Sequence, residues 1–303
     1  MQNTTQRPAE ASGIFTIGGD LKVYRLGFGT MRLTGEGQWG PPANKQEAIA
    51  VLRRALELGI NLIDTSDAYG PEVSENLIAE ALYPYPKDLV IATKGGILTT
   101  GPNQWAQDGR PEHLREALEG SLRRLRLDRI DIYQFHYPDP KVPFEVSVGE
   151  LAKMREEGKI RHVGLSNVTI DQLARAQKIV PIVTVQNHYN LADRESLHMT
   201  EAESEEMIDL CARQGIGFIP WSPLRTVELA RQGGPLDQIA RRHNAKPSQI
   251  ALAWLLQRSS TMLPIPGTSL VKHLEEDVMG ALIKLTQDEF DVLTRSSKGA
   301  LSS

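Results

Sequence analysis

Short apolar runs alternate with longer amphipathic stretches along most of this chain. The runs YRLGFG, INLID, LVIAT, IDIYQFH, IRHVGLS, IVTVQ, IGFIP and MLPIP are apolar at most consecutive positions, which predicts short strands buried on both faces. Between them the spacing predicts helices near Lys45–Leu58, Glu72–Leu82, Pro111–Leu125, Phe144–Glu157, Ile170–Ile179, Ser204–Gln214 and Pro247–Leu256. The stripe Ile49, Leu52, Leu56 is one such buried helical face. In LELGINLID, REEGKIRHV and ARQGIGFIP a glycine separates helix from strand, where a positive φ stops the helix. Pro111 followed by Glu112 suits a helix start.

Eight strand–helix units, with strands apolar on both faces, match an α/β fold, the closed (β/α)8 TIM barrel, which takes about 250 residues. An open doubly wound sheet is the rival; against it, YRLGFGTMRLTGEG begins with GxG but does not continue into a Gly-rich dinucleotide fingerprint. Ahead of the first run, IFTIGGDLKVYRL reads as an N-terminal β-hairpin turning at Gly18-Gly19-Asp20 and plugging the bottom of the barrel. The segments Gly95–Gly109 and Leu224–Gly234 lack regular periodicity and read as loops. Residues 1–303 are expected to form a single domain, with the barrel core about 24–282 and a short C-terminal tail.

Composition narrows the function. A formal charge of −4 with interspersed signs, and no long Lys/Arg block, argues against a nucleic-acid partner. The lone Cys211 excludes an intrachain disulfide and a clustered Cys metal site, and its setting EEMIDLCARQ suggests a buried helix residue. The histidines are dispersed, without H-x-x-x-H, so no metal is expected. MQNTTQRPAE is too polar for a secretory signal, and no stretch approaches the ~18 apolar residues of a membrane span. The expectation is a cytoplasmic protein with no membrane contact and no obligate protein partner.

Four polar residues stand just beyond or at the end of apolar runs. Asp64 and Tyr69 follow GINLI, Lys94 ends VIATK and His136 ends DIYQFH. A barrel gathers the C-terminal ends of its strands at one mouth, so these four would meet there with Ser166, Asn167, Gln186, Trp221 and Gly267. A phenol, an ammonium, a carboxylate and an imidazole together make a proton donor able to serve carbonyl reduction.

The same residues lie in blocks that occur in family order: GFGTM, IDTSDAYG, ATKGG, FHYPDP, GKIRHVGLSN, VQNHYN, IPWSPL and IPGTS–HLEED. In these, from about Leu26 to Leu282, the chain resembles the aldo-keto reductases, NAD(P)H-dependent carbonyl reductases with a barrel fold. The resemblance implies that Asp64, Tyr69, Lys94 and His136 are the catalytic tetrad. Tyr69 would then donate the proton, Lys94 favour the phenolate, Asp64 hold Lys94, and His136 orient the carbonyl oxygen. Asp67, in the same loop, is read as a cap for the following segment. The resemblance also implies that Ser166, Asn167 and Gln186 bind the nicotinamide carboxamide, that Trp221 stacks on its ring, and that Ser222 and Leu224 begin the pyrophosphate loop. Gly267, Thr268, Ser269, Lys272, His273, Glu276 and Asp277 would hold the adenosine end; Gly267 replaces a lysine common in relatives, His273 an arginine, and Asp277 an asparagine. NADPH is favoured, with NADH left open. Met31, Arg32, Trp39, Trp105, Tyr137 and His188 are the substrate-pocket candidates, and the short tail suggests an open pocket for small aldehydes or ketones. Two other functions stay open: a nucleotide-sensing subunit with little turnover, and an isomerase or aldolase using Lys94 as a Schiff base.

Overall fold

The computed structural model describes residues 7–224 and 232–296. A hairpin of β1 (Ile14–Ile17) and β2 (Leu21–Tyr24) precedes seven parallel strands: β3 (Phe28–Gly29), β4 (Leu62–Asp64), β5 (Val90–Gly95), β8 (Ile130–Phe135), β9 (Ile160–Ser166), β10 (Ile182–His188) and β11 (Gly217–Trp221). Their order in the sheet is β11-β10-β9-β8-β5-β4-β3. The crossovers are α1 (Lys45–Glu57), α2 (Val73–Leu82), α3 (Pro111–Leu125), α4 (Phe144–Glu156), α5 (Ile170–Ala176) and α6 (Glu201–Gln214). After β11 come α7 (Pro235–Arg242), α8 (Pro247–Arg258), α9 (Val271–Val278) and α10 (Gln287–Ser296). This is a (β/α)8 barrel carrying the expected hairpin. Among the described residues no helix is long and apolar enough to cross a membrane.

The eighth run, MLPIP, closes the barrel without forming a strand. Leu263 N–H donates to Phe218 O on one side, while Pro264 O and Pro266 O accept from Gly27 and Gly29 on the other. Prolines at alternate positions lack the N–H a ladder needs, so the segment lends carbonyls to one edge and stays irregular. The approach is close: a Cβ on Gly29 would lie 2.7 Å from Ile265 O, and one on Gly267 2.5 Å from Gly29 O. Any side chain at position 267, including a lysine, would push these backbones apart.

Residues alternate in and out along each strand, giving two cores. Leu62, Val90, Ala92, Ile132, Ile219 and Ile265 fill the barrel interior together with Ile17, Leu21 and Val23 of the hairpin. Leu62 and Val90 begin their strands, so the hairpin does plug the bottom. Ile63, Ile91, Tyr133 and Phe135 face outward onto the helices. Gly59, Gly158 and Gly215 all take positive φ, as expected for the helix stops.

Several expectations need correction. The segment read as a loop over Gly95–Gly109 contains an antiparallel hairpin, β6 (Ile97–Gly101) with β7 (Gln104–Gln107). β7 is exposed at all four positions, so no buried face marked it in the sequence. Of the loop expected over Leu224–Gly234, residues 225–231 lie outside the described residues. YRLGFG divides between β2 and the two-residue β3. α6 begins at Glu201 instead of Ser204 because Thr200 and Glu203 form a reciprocal capping box. α5 ends at Ala176, short of Ile179. Helices α7 and α10 had no counterpart in the periodicity: α7 buries only Leu236, Ile239 and Ala240 in two turns.

Candidate active site

Period-2 alternation aims the polar residues inward. Asp64 stands two residues beyond Leu62, Lys94 two beyond Ala92, and Gln134 two beyond Ile132, all of which line the interior core. Apolar layers therefore give way to a polar layer at the C-terminal mouth. Lys94, fully buried, donates to Asp64 Oδ1 at 2.5 Å, to Thr65 O at 2.8 Å and to Tyr69 Oη at 3.2 Å. Its three ammonium hydrogens are thereby satisfied. Asp64 Oδ2 accepts from Gln186 at 2.8 Å and Gln134 at 3.0 Å. The His136 ring meets Tyr69 edge-on, with centroids 5.9 Å apart. The structure thus brings together all four residues expected to meet.

Electrostatics follow from this packing. Burial acts to discharge Lys94, but the Asp64 carboxylate and Tyr69 outweigh it and hold the ammonium pKa above that of a free lysine. Burial raises the Tyr69 phenol; Lys94 opposes the shift and Asp64 adds to it, so the resting phenol is a weaker acid than free tyrosine. Lys94 pulls in the expected direction without prevailing. Burial, then the Lys94 charge, pushes His136 well below the usual imidazole range and keeps it neutral.

Asp67 does not cap α2 with its side chain. Its backbone carbonyl accepts from Glu72, while the carboxylate accepts from Ser66 Oγ at 2.9 Å. Burial first, then the negative Glu75, pushes its carboxyl up to about 7. A free aspartate ionises near 3.8, so Asp67 lowers stability progressively as pH rises from that value to about 7. Asp67→Asn is accordingly expected to raise Tm at pH 8 and change it little at pH 4, as read by thermal unfolding.

A cavity of about 830 Å³ opens at this mouth. Asp64, Tyr69, His136, Ser166, Asn167 and Gln186 form its floor, with Trp221, Ser222, Leu224 and Gly267 along one wall. Met31, Arg32, Trp105 and Tyr137 line it as well, joined by Gln38, Ile97, Gln107 and Leu197, which the sequence did not single out. Trp39 and His188 are not among its lining residues. Trp39 bridges Gly70 at its backbone, and His188 is buried with its ring 4.4 Å from that of Trp221, supporting the indole.

Amide orientations are fixed by their partners. Gln186 must turn Nε2 toward Asp64, because a carboxylate only accepts. Asn167 Nδ2 donates to His136 O at 3.1 Å and Ser166 Oγ at 3.0 Å, and its Oδ1 accepts from Trp221 Nε1 at 3.0 Å. Asn167 and Ser222 hold left-handed backbones, with φ of 58° and 55°. The cavity floor therefore offers the oxygens of Gln186 and Asn167 as acceptors and the Ser166 hydroxyl as a donor.

Thr268, Ser269, Lys272, His273, Glu276 and Asp277 lie beyond the cavity, in the segment leading into α9 and on α9 itself. Lys272 and His273 are exposed, Glu276 pairs with Lys246 at 2.5 Å, and burial raises the carboxyl of Asp277. Glu47 of α1 accepts from Val271 N–H at 3.0 Å, so a carboxylate already occupies part of the α9 N-terminus. Gln134, Ser66 and Glu47 are site residues that sequence reasoning missed. Gln134 had a visible signal: it alternates with Ile132 and His136 as a polar residue on the inward face.

The Aldo/keto reductase family model matches residues 25–298. An uncharacterised oxidoreductase of Schizosaccharomyces pombe is 50% identical over 280 residues, covering 92% of this chain and 89% of its own. Pyridoxine 4-dehydrogenase of Escherichia coli is 42% identical over 295 residues, covering 95% and 99%. A thermostable aldo-keto reductase solved with the inhibitor epalrestat superposes with a TM-score of 0.80 at 30% identity, covering 93% and 99%. An aldo-keto reductase from Klebsiella pneumoniae, solved with NADPH, shares the fold with a TM-score of 0.76 at 23% identity, covering 94% of each chain. With a matching barrel, a polar mouth and a family model spanning nearly the whole sequence, the chain belongs to the aldo/keto reductase family of oxidoreductases.

Proposed function

We propose that this enzyme reduces small aldehydes or ketones to alcohols with NADPH, Tyr69 supplying the proton. The observation that carries this reading is the buried contact of Lys94 with both Tyr69 Oη and Asp64. The floor suits a nicotinamide: Trp221 presents a flat wall, and two amide oxygens with one hydroxyl match the NH2 and C=O of a carboxamide. When bound, NADPH supplies the hydride that reaches the carbonyl carbon. Tyr69 passes its hydroxyl proton to the carbonyl oxygen, giving the alcohol and leaving a phenolate. Lys94, 3.2 Å away, stabilises that phenolate, so the charge that loses to burial in the resting phenol acts where negative charge develops. Asp64 keeps Lys94 charged and in place, and His136 contacts the carbonyl oxygen.

A charged Lys94 is not a nucleophile, which removes the basis of Schiff-base chemistry. The name of the Escherichia coli relative concerns oxidation of pyridoxine, so pyridoxal belongs in the substrate panel with small aliphatic and aromatic aldehydes. Exposed Lys272 and His273 favour the extra phosphate of NADPH, with Glu47 as a nearby opposing charge. The test is equilibrium binding of NADPH and NADH followed by the panel. Tighter NADPH binding and stoichiometric alcohol formation are expected. NADPH binding without consumption of any carbonyl would leave the sensing function as the better reading.

A further inference from the structure

Behind His136 lies a hydrogen-bonded chain that the proposed reaction has not used. His136 Nδ1 is 3.2 Å from Ser66 Oγ, and Ser66 Oγ is 2.9 Å from Asp67 Oδ1. Ser66 Oγ also accepts from Ala68 N–H at 3.1 Å. A hydroxyl has one hydrogen and two lone pairs, so its remaining contacts are coupled. When Asp67 is ionised it can only accept; Ser66 then gives its hydrogen to Asp67 and must accept from His136 Nδ1–H. When Asp67 is protonated it donates to Ser66, and Ser66 gives its hydrogen to His136 Nδ1. The neutral imidazole then carries its hydrogen on Nε2, the nitrogen left for a ligand in the cavity His136 lines.

We propose that Ser66 and Asp67 form a proton relay that sets the tautomer of His136 and thereby switches its ability to donate a hydrogen bond to a carbonyl oxygen. The protons balance. Uptake of one proton leaves Asp67 as the acid, with the His136 hydrogen moved from Nδ1 to Nε2 and the Ser66 hydroxyl turned around. The imidazole stays neutral in both states, which suits a ring beside the charged Lys94.

The surroundings place this switch near neutrality. Asp67 faces Glu75 of α2 and Arg124 of α3, with Tyr69 from its own loop and Tyr133 of β8 close by. Glu75 is fully buried and held by Thr93 at 2.6 Å and Arg124 at 2.7 Å, so its position is fixed. Burial and Glu75 together raise the Asp67 carboxyl to about 7, against Ser66, Arg124 and the Ala68 N–H, which Asp67 shares with Ser66 Oγ. Ser66 and Asp67 are positioning residues: they act on a carbonyl only through His136. The inference rests on the reading of His136 as the residue meeting the substrate oxygen.

Nitrogen-15 NMR of the histidine rings in the unliganded full-length protein tests the relay without turnover, with the His136 signals assigned from a His136→Gln variant. In the wild type the Nε2–H form is expected at low pH, giving way to Nδ1–H with a midpoint near 7. In Asp67→Asn, whose amide can imitate the acid, and in Ser66→Ala, the step is expected to vanish. The matching kinetic signature is a fall in carbonyl-reduction kcat/KM of up to about thirtyfold from pH 6 to pH 8.5, following the loss of the Nε2–H form, that is absent in Asp67→Asn. An unchanging His136 tautomer in the wild type, or a step retained in either variant, overturns the relay. If the NMR step is present but no carbonyl is turned over, the relay stands and the proposed reaction fails.

Discussion

Replacing Tyr69 with Phe is expected to lower kcat for carbonyl reduction about 10³-fold while leaving NADPH affinity within about twofold of wild type. The change removes only the hydroxyl. Lys94 keeps Asp64 and Thr65 O, the ring keeps its edge contact with His136, and none of the groups offered to the carboxamide is touched. Stability should change by about 1 kcal/mol or less, because a single hydrogen bond is lost. Stopped-flow turnover and fluorescence titration separate the two effects. Wild-type turnover in the variant would remove Tyr69 from the chemistry.

Lys94→Met is expected to be the most damaging single change. It leaves the Asp64 carboxylate buried with only the Gln134 and Gln186 amides to hold it. Breaking a buried pair from one side typically costs about 3–5 kcal/mol, chiefly through the stranded charge. Turnover should be lost as well, since nothing then stabilises the phenolate. Adding Asp64→Leu to Lys94→Met removes the stranded charge and should recover much of the stability without restoring turnover. Denaturant unfolding of the single and double variants, with activity measured on each, distinguishes a structural role for the pair from a chemical one. Recovery of activity in the double variant would contradict the role assigned to Lys94.

The barrel was legible because its strands are short apolar runs separated by amphipathic helices, and because Gly59, Gly158 and Gly215 mark the reversals where a positive φ is required. The meeting of Asp64, Lys94 and His136 was equally legible, because each stands at the C-terminal end of its apolar run; their inward direction was not, because strands apolar on both faces show no alternation. Non-local features were harder to see. The segment Met262–Pro266 looks like a strand in composition, but Pro264 and Pro266 withhold the N–H groups that a ladder uses. The β6–β7 hairpin has too few buried residues to show a periodic face. Ser66 and Asp67 adjoin in sequence, yet their link to His136 spans seventy residues and exists only in the folded mouth. Glu47 likewise reaches Val271 across the chain, a contact no local pattern announces.

The most direct measurement of the proposed chemistry is a single turnover of a small aldehyde with 4,4-dideuterated NADPH, followed by mass analysis of the alcohol. One deuterium bonded to the former carbonyl carbon, with ordinary hydrogen on the oxygen after work-up in water, is the expected result. Alcohol carrying no deuterium at that carbon, or no alcohol from an enzyme saturated with NADPH, would contradict hydride transfer at the mouth formed by Tyr69, Lys94 and His136.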